Sequence, residues 1–237
     1  MFNLKNYPKS YGNTENGFYR LSYPDKNQSE MEKIESVFWE FINKRVQTAL
    51  PVKKFKNYLY INSGWEWSVF KKNNKSIVKI PAQIFPEVSD KRYLKNTEFA
   101  YREISKFFPS RFIAKTKVEE VDSRNLITQE YIKGKEDIKI VDLIKNKKCT
   151  SNLKDFLKYS LIMLEKKTWL PDFNIERTKD GFSIRNIIFQ DKDFVPKIID
   201  FTSYYDVFRL YPQRTDTEVK YKTKQIKESL SWFDLEI

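Results

Sequence analysis

Arg185-Asn186-Ile187-Ile188-Phe189-Gln190-Asp191-Lys192-Asp193-Phe194-Val195-Pro196-Lys197-Ile198-Ile199-Asp200-Phe201 holds two short runs of β-branched and aromatic residues. The polar segment 190–193 separates them, so the pattern predicts a β-hairpin. Asn186 stands at the entrance of the first strand and Asp200 at the exit of the second. A carboxamide and a carboxylate then share the open end of the hairpin. Asn and Asp flank strands widely as turn formers, yet together they also supply two oxygen ligands of the kind Mg²⁺ takes.

Outward from the hairpin, composition narrows the chemistry. The 237 residues suffice for one substantial core or two small lobes sharing a cleft, and 40% apolar with 16% aromatic content argues against disorder. No apolar run approaches the roughly 20 residues that span a bilayer. The start, Met1-Phe2-Asn3-Leu4-Lys5-Asn6-Tyr7, lacks the hydrophobic core of a secretory signal, so a cytoplasmic protein is expected. The single cysteine, Cys149, lies in the polar run Lys145-Asn146-Lys147-Lys148-Cys149-Thr150 and reads as an incidental thiol. The chain contains no histidine, which rules out Ser-His and Cys-His catalytic pairs and leaves little for zinc. Acid–base work falls to carboxylates, Lys or Tyr. The net charge of +12 favours an anionic partner such as a nucleotide, a nucleic acid or an acidic protein.

Residues 1–27 are polar and turn-rich and read as an irregular lead-in. Ser29 and Glu32 form a capping box ahead of an amphipathic helix over 29–48 that Pro51 closes. The period then switches to two, predicting three antiparallel strands: Tyr58-Leu59-Tyr60-Ile61, Trp67-Ser68-Val69-Phe70 and Ser76-Ile77-Val78-Lys79-Ile80-Pro81. A helix follows from Ser89-Asp90 to Pro109-Ser110. Two strands, 112–118 and 125–131, are joined by the charged turn 119–124. Beyond Gly134 the pattern predicts a short helix over 138–144, a longer one over 151–167 and helical character from Glu218 to Trp232.

Asn186 followed fourteen residues later by Asp200-Phe201 resembles the metal-binding half of the protein-kinase-like phosphotransferase fold, in which a catalytic-loop Asn and the Asp of an Asp-Phe-Gly element hold the metal ions. Here Thr202 replaces the glycine. Ser63-Gly64-Trp65-Glu66-Trp67-Ser68-Val69-Phe70 resembles the family's nucleotide-covering Gly-x-Gly-x-x-Gly-x-Val, with Gly64 alone of the three glycines. Ile77-Val78-Lys79 resembles the strand whose lysine holds nucleotide phosphates. Its helix partner would be Glu98, nineteen residues on, with Glu103 as the alternative. Residues 130–132, namely Glu130, Tyr131 and Ile132, take the place of the hinge that binds adenine through its backbone. The loop Trp169-Leu170-Pro171-Asp172-Phe173-Asn174 takes the place of His-Arg-Asp-Leu-x-x-x-Asn, with Leu170-Pro171 for His-Arg. Asp172 is the preferred base but lies fourteen residues before Asn186, with 175–182 read as an insertion. Asp180, six residues before Asn186, stays open as the alternative in a Lys-Asp-Gly turn.

The resemblance implies an α+β, two-lobed protein-kinase-like fold: an N-terminal extension over 1–50, a five-stranded antiparallel N-lobe over 51–133 and a reduced, mainly helical C-lobe over 134–237. It is similar to the small atypical bacterial kinase-like proteins. The implied activity is transfer of the γ-phosphate of ATP, with Mg²⁺, to a hydroxyl on a protein or small molecule. In that reading Lys79 holds the phosphates, Glu98 orients Lys79, Asn186 and Asp200 bind the metal, Ser63 and Gly64 cover the nucleotide, and Asp172 accepts the proton. A pseudokinase-type module, which keeps the fold and the nucleotide without turnover, is the alternative. A basic nucleic-acid-binding protein is the more distant one.

Overall fold

In the computed structural model the described residues are 10–13, 19–22, 52–64, 67–82, 91–121, 124–136, 147–167, 170–171, 173–178, 181–191, 193–201 and 214–235. The helices expected over 29–48 and 138–144 lie outside them, as do Trp65, Asp172 and Asp180. By internal contacts the chain forms two units, one of residues 1–99, 116–131 and 204–212, the other of 100–115, 132–203 and 213–237.

Within the lead-in read as irregular, β1 (Ser10–Asn13) and β2 (Tyr19–Ser22) pair antiparallel, with Tyr11 opposite Leu21. The Tyr residues and Leu21 suit an extended backbone that polar neighbours hide from a composition-based reading. The period-two region folds as its pattern dictates. β3 (Leu59–Ser63), β4 (Trp67–Lys71) and β5 (Ser76–Pro81) form an antiparallel meander, helix α1 (Lys91–Phe107) follows, and β6 (Thr116–Val121) and β7 (Arg124–Glu130) return to the same sheet. The strand order is β3-β4-β5-β7-β6, every neighbour antiparallel. Three meander strands, a helix and a returning hairpin that inserts its second strand beside the third give the five-stranded antiparallel sheet of an α+β fold, the order expected from the sequence.

Alternation sorts this sheet into two faces. Phe70, Val78, Ile80 and Leu126 form a buried cluster on one, packed by Val52, Phe55, Tyr58 and Tyr60. The Phe55 and Tyr60 rings stand 5.8 and 5.7 Å from that of Phe70. On the opposite face the register aligns Val69, Lys79, Ile127 and Val118 in one row.

Two boundaries differ from the sequence expectation, each for a packing reason. Residues 112–114 are buried but not in a strand, because Pro109 is followed by a 3₁₀ turn, Ser110–Phe112. The Phe112 ring packs edge-on to Phe156, centroids 5.9 Å apart. Ile113 bridges Ile198, and the Ala114 N–H donates to the Ile198 carbonyl at 3.0 Å. Glu119 and Glu120, expected in a turn, are strand residues of β6. Glu119 accepts a hydrogen bond from Thr128 Oγ1 at 2.6 Å and pairs with Lys117 at 2.9 Å, and these contacts hold its carboxyl below the usual range.

In the second unit, β8 (Gly134–Glu136) precedes α2 (Lys147–Lys167), and α3 (Arg214–Leu235) ends the described chain. α2 begins at Lys147, four residues earlier than the periodicity suggests. Cys149 therefore falls in its first turn, fully buried, and heads the apolar stripe of Leu153, Phe156, Leu157, Met163 and Leu164. The thiol read as incidental is a core group. Ile226, Ser229 and Phe233 give α3 its buried stripe, and Lys154 Nζ donates to the Phe233 carbonyl at 3.3 Å. Among the described residues no helix is long and apolar enough to cross a membrane.

Burial pushes the Cys149 thiol up to about 11. Between roughly pH 9 and 11 the unfolded chain then releases a proton that the folded chain keeps, so stability falls as pH rises through that window. Urea melts of wild type and Cys149→Ala at pH 8 and pH 10 check this: the wild type should lose more stability than the variant over the interval. Equal losses would show that Cys149 does not titrate as its burial dictates.

Candidate functional site

Ile187-Ile188-Phe189 and the run ending in Ile198 form strands because their β-branched and aromatic side chains fill the core on one face. β11 (Ile187–Gln190) and β12 (Pro196–Ile198) pair antiparallel with Ile187 opposite Ile198. Ile187, Phe189 and Ile198 are fully buried. Continuing the register by one residue sets Asn186 beside Ile199, so Asn186 and Asp200 occupy the same open end, as the sequence predicts. β8 lies on the other side of β11 and completes a three-stranded sheet, β12-β11-β8.

The opposite end of the hairpin is tied down. The Gln190 N–H donates to Val195 O at 3.1 Å and the Phe194 N–H to Gln190 O at 2.8 Å. Lys148 of α2 pairs with Asp193, and Asn152 Nδ2 donates to the Asp193 carbonyl at 3.1 Å. With one end clamped to α2 and its exit strand bridged to Ile113, the hairpin presents its open end from a fixed base.

The segment read as an insertion is itself a hairpin. β9 (Asn174–Thr178) and β10 (Gly181–Arg185) pair antiparallel with Asn174 opposite Arg185 and the buried Ile175 opposite Ile184. One residue, Asn186, separates β10 from β11. Its φ of 62° lies in the left-handed region, which Asn enters more readily than most residues, and the chain turns there from one hairpin into the next. Asn186 is exposed and Asp200 half-buried. Asp172 lies outside the described residues; on either side of it, Pro171 and Phe173 are buried, and the Phe173 N–H donates to Pro171 O at 2.7 Å.

Phe201, next to Asp200, is buried and meets Tyr101 of α1 edge to face, centroids 5.2 Å apart. The sequence reading missed Tyr101. Its signal was the large aromatic after Asp200, which needs a partner, but no local pattern says which residue supplies it.

Lys79, central in β5, is only 4% exposed, unusual burial for a lysine. Of the two α1 glutamates, Glu98 is exposed and Glu103 is buried, with Glu103 Oε1 accepting from Lys106 Nζ. At the β3–β4 turn the Gly64 N–H donates to Trp67 O at 2.9 Å, and the Ser63 and Ser68 hydroxyls lie 2.8 Å apart. Among the described residues the nearest atom that a Cβ on Gly64 would meet is Trp67 O, at 4.0 Å, and Trp67 is a buried strand residue. In the stretch 130–132 the Tyr131 N–H donates to Lys75 O at 2.9 Å, the Tyr131 ring lies under Lys71 Nζ at 4.7 Å, Glu130 pairs with Ser76 in the sheet and Ile132 is buried.

For a metal, the donor chemistry fits Mg²⁺: one carboxylate and one carboxamide oxygen leave positions for water and phosphate oxygens, the usual mixture for this ion. Among the described residues no group of three or more Cys, Asp or Glu stands ready to hold a metal by itself.

No family model matches the chain, and no curated protein matches it. Among solved structures it is similar to the streptomycin–ATP–APH(2″)-IIa ternary complex, at 17% identity and a TM-score of 0.39, covering 87% of this chain and 84% of that one. It is also similar to the Rv3197–erythromycin complex from Mycobacterium tuberculosis, at 11% identity and a TM-score of 0.36, covering 83% of this chain and 64% of that one. TM-scores this low leave the fold resting on the strand order and register described above.

Proposed function

We propose that the chain is an ATP-dependent phosphotransferase of kinase-like fold, acting in the cytoplasm, that transfers the γ-phosphate to a hydroxyl on a protein or small molecule. One observation carries the reading: the β9–β10 hairpin closes on itself, so Asn174 is paired with the residue just before Asn186. Most of the thirteen residues between Asp172 and Asn186 are taken up by that closed hairpin. In sequence Asp180 lies between the paired residues Thr178 and Gly181, whereas Asp172 lies two residues before the paired Asn174. This supports Asp172 over Asp180 as the base.

In the reaction, the acceptor oxygen forms a bond to the γ-phosphorus as the bond to the β-phosphate bridging oxygen breaks. The electron pair leaves with ADP. Asp172 takes the acceptor's proton and aligns its oxygen, which is most of what this chemistry asks of a protein. Lys79, shielded from water on its strand, offers its ammonium to the phosphates, where low exposure strengthens the attraction. Asn186 and Asp200 hold Mg²⁺, which supplies charge neutralisation at the phosphate oxygens when bound. Ser63 and Gly64 cover the nucleotide, and the stretch Glu130, Tyr131 and Ile132 takes the part of the adenine-binding segment. Glu98, with Glu103 as the alternative, is the carboxylate that would orient Lys79.

The test is incubation with radiolabelled ATP and Mg²⁺, comparing wild type with Asp200→Ala. Label should reach an acceptor or water with wild type and fall about 10²-fold or more in the variant. Equal transfer would remove Asp200 from the mechanism. A second reading, a nucleotide-binding module without turnover, is favoured by the tolerance of a side chain at Gly64. Nucleotide-dependent thermal stabilisation of the wild type without any transfer would select it.

A further inference from the structure

We propose that the β3 edge of the first unit, with the lysines that border it, is a docking surface for the anionic face of a lipid bilayer. The inference stands apart from the phosphotransferase reading and needs none of the residues that reading employs. β3 and β6 are the outer strands of the five-stranded sheet, and they are finished differently. β6 carries Lys117, Glu119 and Glu120, charges of the kind that keep a strand edge from pairing with another chain. β3 is Leu59-Tyr60-Ile61-Asn62-Ser63 and carries none. Tyr60 packs on the Phe70 cluster, whereas Leu59 is 69% and Ile61 44% exposed, and the β3–β4 register shifts at Ile61. Two aliphatic side chains thus stand out from an edge that no charge protects.

Lysines border that pair on both sides. In Val52-Lys53-Lys54-Phe55-Lys56-Asn57-Tyr58 the members Val52, Phe55 and Tyr58 pack against the buried cluster, and Lys53, Lys54 and Lys56 between them are exposed. Leu59 follows directly and pairs with Lys71 of β4. The β4–β5 turn beyond Lys71 presents Lys72 and Lys75, both exposed, from a fixed backbone. There the Lys72 and Asn73 N–H groups donate to Ser76 O at 3.0 and 3.2 Å, and Asn73 Oδ1 accepts from the Lys75 N–H at 2.8 Å and the Ser76 hydroxyl at 3.0 Å. From Val52 to Ala82 the sequence holds seven lysines and one acid, Glu66. Glu119 of β6 also feels Lys72, but it pairs with Lys117 at 2.9 Å.

A bilayer with acidic headgroups is the occupant that uses both features. Each lysine near such a surface adds attraction, and aliphatic side chains enter the boundary between headgroups and acyl chains. The lysine stems can lie along that boundary with their ammonium groups in the headgroup layer. A nucleic acid would use the lysines alone. The rings of this stretch turn into the cluster, with Phe55 and Tyr60 at 5.8 and 5.7 Å from Phe70, and are not held out for stacking on bases. A second copy would cover the β3 edge but bring two sets of lysines face to face, where like charges repel.

The experiment is co-sedimentation of the full chain with vesicles of phosphatidylcholine alone and of phosphatidylcholine mixed with phosphatidylserine, with circular dichroism to establish that each variant is folded. Wild type should pellet with the acidic vesicles at about 0.1 M salt and lose at least tenfold in affinity at about 1 M, where the screening length drops from about 10 to about 3 Å. Replacing all three of Lys53, Lys54 and Lys56 by Gln should weaken binding about 10²-fold, each lysine being worth roughly fivefold. The same three changed to Arg should bind as wild type does. Leu59→Ser combined with Ile61→Ser should weaken binding about tenfold by removing the apolar insertion. No binding to acidic vesicles, or binding that neither the Gln nor the Ser variant weakens, overturns the proposal. A mixed-sequence DNA duplex bound in place of vesicles, with the lysine dependence alone, would overturn it in favour of nucleic acid. A dimer on size exclusion that the Ser variant dissolves, again in place of vesicle binding, would overturn it in favour of a second copy. Vesicle binding by a chain that transfers no label from ATP would count against the phosphotransferase reading and leave this proposal standing.

Discussion

Asp172→Asn is expected to lower phosphoryl transfer by about 10²–10⁴-fold, the range that a positioned proton acceptor contributes, while Asp180→Asn should stay within about twofold of wild type. The contrast follows from the hairpin. Counted along the chain, Asp180 is the closer residue to Asn186, but its sequence neighbours Thr178 and Gly181 form the rung farthest from Asn174 and Arg185. The five rungs from one end to the other span roughly 13 Å at about 3.3 Å per residue. Proton transfer needs hydrogen-bond reach, about 3 Å, so the expectation favours the carboxylate next to the Asn174 end. Asparagine keeps the shape of the side chain and removes its basicity, so nucleotide binding should survive in Asp172→Asn. Rates from single turnover with labelled ATP decide the matter. A large loss in Asp180→Asn with Asp172→Asn unaffected would reverse the assignment.

Gly134→Ala is expected to cost about 3 kcal/mol or more. An added Cβ would lie 2.1 Å from the Phe189 carbonyl oxygen, 2.7 Å from the Phe189 carbonyl carbon and 2.9 Å from Ile188 Cγ2. Two of the three are backbone atoms of β11, so no rotamer change relieves them. Relief requires β8 to leave β11, which abandons the pairing of Gly134 with Gln190 and Lys135 with Phe189. Because Ile187 and Phe189 are core residues, the disturbance reaches the strand that carries the Asn186 end. Gly64→Ala is the internal comparison: with 4.0 Å of clearance it should change stability by no more than about 0.5 kcal/mol. Thermal melts of the two variants against wild type measure the difference. Similar melting temperatures for both would mean that β8 does not pack on β11 as described.

The chain's own pattern settled the strands 59–63, 67–71 and 76–81, the helix after them, the hairpin around 187–198 and the placing of Asn186 and Asp200 at one end of it. Each is a local property: alternation or helical spacing shows which faces are apolar, and turn residues mark where the chain reverses. Tertiary structure decided the rest, in most cases through contacts between residues remote in sequence. Apolar 112–114 reads as strand, but its partners are Phe156 and Ile198, which pull it into the second unit's core. Cys149 sits among lysines and asparagines, yet α2 extends far enough to bury it under Phe194, whose carbonyl stands 4.0 Å from Sγ. Gly134 reads as a boundary, and only the approach of β11 shows why no side chain fits there. Sequence distance likewise set Asp172 fourteen residues from Asn186, and cross-strand hydrogen bonds, which no periodicity records, folded those residues out of the way.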